Sequence, residues 1–161
     1  MYKNIFATIF LFSFLLSSFA FGQKTEFEGT YRLVVRILPD GTRLTAPNVM
    51  GLMTFTKTHR NFNVAWVDKD GKHFSYSVVS TYKLTDTEYS ETIIFSVMND
   101  EISGKGITYV MSGDSSTVPV KAADGKIEIT PPFDQVTMVF DSDRLIGTSE
   151  GNFKDYWEKI E

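Results

Sequence analysis

The chain has 161 residues, 16 basic and 20 acidic side chains, a formal charge of -4 and no cysteine. That length allows one domain of ordinary size, and the charge offers no basic footprint for nucleic acid. The missing thiols exclude disulfides, cysteine nucleophiles, zinc–thiolate sites and iron–sulfur clusters made by this chain.

The first predicted element is an export signal. Lys3 precedes an apolar run from Ile5 to Phe21, broken by Ser13, Ser17 and Ser18, and Ala20-Phe21-Gly22 then supplies small residues for cleavage before Gln23. This is the secretory pattern, so residues 1–22 are expected to be a signal peptide and residues 23–161 a single domain. A membrane anchor is the competing reading, because a run of about 17 apolar residues just reaches across a bilayer. The small-residue cleavage site favours the signal. An exported domain without disulfides must be held by its core alone, which points to a bacterial envelope, periplasmic or secreted.

Strand signals then follow one another. Tyr31, Leu33, Val35 and Ile37 alternate with Thr30, Arg32, Val34 and Arg36, and Pro39-Asp40-Gly41 turns the chain. Phe62, Val64 and Trp66 alternate with Asn61, Asn63 and Ala65, and Asp70-Gly71 marks a hairpin. Phe74, Tyr76, Val78, Tyr82 and Leu84 share the next period-2 face, and Tyr89 to Met98 forms another run. Shorter runs cover 106–111, 117–121, 126–130, 135–140, 145–148 and 152–160, and Ser112 to Ser116 reads as a loop. No stretch after the leader carries a sustained helical stripe. The predicted fold is therefore all-β, an up-and-down antiparallel β-barrel of about 8–10 strands, closed so that no long edge is exposed.

Both ends of the domain resemble a known group. Phe27-Glu28-Gly29-Thr30-Tyr31-Arg32-Leu33-Val34 resembles the first strand of the lipocalins and fatty-acid-binding proteins, the calycins, and Asp155-Tyr156-Trp157-Glu158-Lys159-Ile160 resembles their closing strand. Gly51 to Thr56, with Asn61 to Trp66, is similar to bacterial lipocalin-like domains of unassigned function. The resemblance implies a barrel with a small-ligand cavity and makes Tyr31 a plug at its closed end. In fatty-acid-binding members an arginine two residues before a tyrosine of the last strand holds the ligand carboxylate. Placing Trp157 at that tyrosine puts Asp155 at the arginine, where an acid would repel a carboxylate.

Catalytic patterns are sparse. Gly147-Thr148-Ser149-Glu150-Gly151 matches a nucleophile elbow, but both histidines, His59 and His73, precede it, and a strand and turn explain it. Asp68-Lys69-Asp70-Gly71 lacks the further acids of a calcium loop, and Gly104-Lys105-Gly106 lacks the helix of a phosphate cradle. His59 and His73 could meet across a hairpin, but a catalytic zinc wants a third protein ligand. Glu91 shares its period-2 face with Tyr89, Ile93, Phe95 and Val97. Facing inward, it needs a partner or a raised pKa; at a frayed strand end it needs neither.

The expected function is non-catalytic binding of a small hydrophobic or amphipathic molecule, with no metal and no cofactor. Trp66, Tyr76, Phe95 and Tyr109 are the expected walls, and Arg60 and Glu91 the polar anchors. Two other readings compete. A plugged barrel could dock an envelope protein or glycan through loops 39–48 or 112–117. An acid–base enzyme could use Glu91, His59 or a tyrosine.

Overall fold

In the computed structural model the described residues are 27–161, so the expected signal peptide of residues 1–22 lies outside them. Among these residues every regular element is a strand. In chain order they are β1 (Gly29–Ile37), β2 (Arg43–Leu44), β3 (Val49–Phe55), β4 (His59–Val67), β5 (His73–Leu84), β6 (Glu88–Asp100), β7 (Gly106–Val110), β8 (Ser115–Pro119), β9 (Lys121–Ala123), β10 (Lys126–Ile129), β11 (Thr137–Asp141), β12 (Arg144–Ser149) and β13 (Phe153–Lys159).

The order across the sheet is β7-β6-β5-β4-β3-β1-β13-β12-β11-β10-β9, with β2 beside β1 and β8 beside β6. Neighbours in sequence are neighbours in space, so the fold is the expected up-and-down meander. The path of eleven strands curls through 211° as a half-barrel. Val120 alone separates β8 from β9; β8 pairs with β6 and β9 with β10, so one segment is bonded to both sides of the curl.

The first and last strands lie side by side, with Tyr31 opposite Lys159 and Leu33 opposite Trp157. Gly29 has φ +144°, and a Cβ there would stand 2.5 Å from the Glu161 carbonyl oxygen. Only glycine permits both the dihedral and the approach. Two residues on, Tyr31 is fully buried, and its hydroxyl donates to the Phe27 carbonyl at 3.2 Å. Phe27, Phe55, Tyr82 and Phe140 pack with it as tilted and edge-on rings, with centroids 4.3–6.4 Å apart, the offsets that aromatic quadrupoles favour. This end of the interior is solid.

Two β-bulges change which residues face inward. On β1 the register shifts between Leu33 and Val35, leaving Val34 as an extra, exposed residue. On β6, Ser80 of β5 faces Ile93 while Val79 faces Phe95, so Ile94 is the extra residue. An added residue inverts the alternation beyond it. Arg36, predicted outward with Arg32, is turned in and buried. Phe95, predicted to share a face with Glu91, is turned out.

Candidate functional site

The first consequence is a buried ion pair. Beyond the β1 bulge Arg36 faces Asp155 of β13, and its Nε and one terminal nitrogen each donate to a different carboxylate oxygen at 2.7 Å. The guanidinium carbon lies 4.4 Å from the Trp66 ring centre and 3.9 Å from that of Phe153. Burial raises the Asp155 pKa and the adjacent Arg36 opposes that shift, so the raised value marks a desolvated but paired carboxyl.

The second cluster is more deeply buried. Arg60, near the start of β4, has no exposed surface. It donates to Glu91 Oε1 at 3.0 Å and, from its other terminal nitrogen, to Asp134 Oδ2. Ser80 Oγ also donates to Glu91 Oε1, at 2.5 Å. Asp134 comes from the turn between β10 and β11, where its amide donates to the Pro131 carbonyl at 3.2 Å and Gln135 follows with φ 54°. That turn presents the carboxyl inward, with its side chain 3% exposed. Among the described residues four buried side-chain atoms lack a hydrogen-bond partner: Arg60 Nε, Tyr89 Oη, Glu91 Oε2 and Asp134 Oδ1.

Electrostatics follow from this geometry. Burial lowers the Arg60 pKa, but the two carboxylates beside it outweigh burial and raise it, so the guanidinium is always charged. Asp134 is raised, first by burial and then by Glu91, against the pull of Arg60. Tyr76 is pushed up to about 12, chiefly by burial, so its hydroxyl stays neutral.

Between these clusters lies a cavity of about 190 Å³. Arg36 and Asp155 form part of its wall, and so does Asp134; Arg60 and Glu91 stand behind Asp134. The apolar wall carries Phe62, Trp66, Phe74, Tyr76, Phe153 and Trp157, with Met53, Val64 and Leu145. Trp66 and Phe74 stack at 4.0 Å, and Phe62 sits 6.0 Å from both the Tyr76 and the Trp157 ring centres. Both tryptophans of the chain therefore line it.

The structure brings together some of the predicted residues and separates others. Trp66 and Tyr76 line the cavity. Arg60 and Glu91 are inward, fully buried and paired with each other, so Glu91 is not at a frayed strand end. Phe95 is 39% exposed and Tyr109 68% exposed, both on the outer surface. The Ile94 bulge is the reason: it turns Phe95 and Val97 outward, and Tyr109 of β7 sits opposite Val97. His59 and His73 occupy opposite ends of the β4–β5 hairpin, so they do not meet. Ser149 lines the cavity at the end of β12, accepts from Asn152 Nδ2 at 3.1 Å, and leads into a hairpin turn without a helix. Asp68 Oδ1 accepts the amides of Asp70 and Lys72, which makes its segment a side-chain-closed turn.

Arg36 and Asp134 were not legible as site residues. The alternation of β1 hid the first, and nothing local distinguishes the second in Pro131-Pro132-Phe133-Asp134. Asp155 was noticed only through the calycin resemblance. Pairing β1 with β13 would have set Arg36 against it. No family model and no curated protein matches the sequence.

Proposed function

We propose that this is an exported, lipocalin-like carrier that binds a small, mostly apolar molecule inside its barrel without transforming it. The observation that carries this reading is the aromatic cavity bounded by two buried ion pairs. Binding sites are concave, mostly apolar, and fixed by a few convergent polar groups, and this interior has that composition. Its volume is near the about 150 Å³ of an engineered apolar cavity that admits benzene and below the roughly 300–1,000 Å³ of sites for drug-sized molecules. The ligand is therefore compact. The export signal and the calycin-like end strands support the same reading.

Native mass spectrometry of the full-length gene product, expressed with export and purified without detergent, tests it. A discrete extra mass, released by organic solvent, is the expected result. The bare mass, unchanged after incubation with an extract of the native host, would overturn it.

One observation favours a second reading. Ile107, Tyr109 and Met111 on and beside β7 are exposed next to Phe95, at the end of the sheet path. An exposed apolar edge is a template for pairing with another chain, which suits an interaction module in the envelope. Replacing Ile107 and Tyr109 with lysine would then abolish an association seen by light scattering or pull-down. A carrier alone would show no such association.

A further inference from the structure

We propose that the cavity takes a compact, single-ring amine, held as its ammonium form by the Asp134 carboxylate. This inference rests on the carrier reading above and names the class of its ligand.

The charges at the wall decide the class. Arg36 donates to both oxygens of Asp155, so that pair is neutral and its cation is committed. On the other side one guanidinium, Arg60, faces two carboxylates, Glu91 and Asp134. With both acids ionised that cluster carries one negative charge in surplus, a cost that shows in the raised Asp134 pKa. Of its two acids only Asp134 reaches the cavity wall, and its Oδ1 has no hydrogen bond although the side chain is almost wholly buried. A buried acceptor without a donor is costly, and a charged donor from a ligand relieves it most. An ammonium group would bring the cluster to neutrality.

The aromatic wall points the same way. Ring faces carry negative potential and attract cations. Tyr76 presents such a ring beside the wall that Asp134 joins, whereas Trp66 is already taken up by Arg36 and Phe74, and Phe62 by Arg60. A carboxylate ligand would meet the opposite conditions: Asp134 and Asp155 would both repel it, and the charge of Arg36, whose second terminal nitrogen makes no bond to Asp155, is already balanced by that carboxylate. The volume limits the apolar part to about one ring.

The test compares four molecules that share a phenylethyl group by calorimetry on the intact protein: 2-phenylethylamine, 2-phenylethanol, ethylbenzene and 3-phenylpropionate. The amine should bind roughly tenfold to a hundredfold more tightly than ethylbenzene, the ratio expected of a charge-assisted hydrogen bond, and the carboxylate should bind least. Asp134→Asn should erase the amine's advantage over ethylbenzene. Because that variant disturbs the Arg60 cluster, the ranking in the unaltered protein stands as an independent measurement. Ethylbenzene binding with no preference for the amine, or with a preference for the alcohol or the carboxylate, would overturn the amine assignment and leave the carrier reading intact. Failure of all four to bind would overturn both.

Discussion

Two arginines on β1 show how strongly burial sets the value of an ion pair. Arg32 pairs with Glu158 and Arg36 with Asp155 across the same two strands, but the first pair is exposed and the second enclosed. Solvent screens the exposed pair, so Arg32→Ala should cost less than about 1 kcal/mol. Arg36→Ala would strand a buried carboxylate and should cost about 3–5 kcal/mol. Arg60→Ala belongs to the same class and strands two acids. Urea unfolding of the three variants checks this order, and equal losses for Arg32 and Arg36 would refute it. The acids also set the pH response. Asp134 and Asp155 have folded pKa values raised by burial above the ordinary 3.8. Between that value and each raised one the folded state holds more protons than the unfolded, so stability falls as pH rises through the window. Asp40, Asp100 and Glu101 are lowered by hydrogen bonds from Thr42, Ser103 and His73 respectively, and their contribution is lost only on acidification below the ordinary carboxylate range. The urea midpoint should therefore rise as the pH is lowered toward the ordinary carboxylate range, and Asp134→Asn should flatten that rise. A midpoint that falls steadily over the same range would contradict it.

Single residues act on whole strands where backbones come close. A Cβ at Gly51 of β3 would stand 2.5 Å from Trp157 Cη2 and 3.2 Å from Leu33 Cβ. The indole lies flush against that backbone and cannot yield without leaving the cavity wall. Gly51→Ala should cost about 1–3 kcal/mol, as overpacking does, and should shift the tryptophan emission. Unchanged emission and stability would show that Trp157 packs elsewhere. The strands themselves were legible because period-2 alternation records one buried face and one solvated face. Tyr31 was legible through its alternation and through the calycin resemblance that makes it a plug, whereas the φ of +144° at Gly29 was not. The two bulges were not, since an extra residue leaves no mark in composition and shows only when the partner strand is known. Val34 and Ile94 each invert the pattern, and they account for the concealment of Arg36 and for the misplacement of Phe95. Tyr109 followed Phe95 outward because β7 copies the phase of β6. Asp134 is a different case: its role is created by a turn that meets β4 only in three dimensions.

At the scale of the molecule, the meander divides its interior. Around Tyr31 the rings fill the space; between the Arg36 and Arg60 clusters they surround a void. Arrangement separates the two regions, since both are rich in aromatic side chains. The chain's two tryptophans both face that void, so intrinsic fluorescence reports on it without a label. The most direct measurement is a titration of the protein with ethylbenzene, followed by tryptophan emission, beside the variant Val64→Phe, which places a ring in the same space. A saturable change is expected in the unaltered protein and none in the variant, with both remaining folded by circular dichroism. Saturable binding that survives Val64→Phe, or no binding to either, would contradict a ligand cavity at this place.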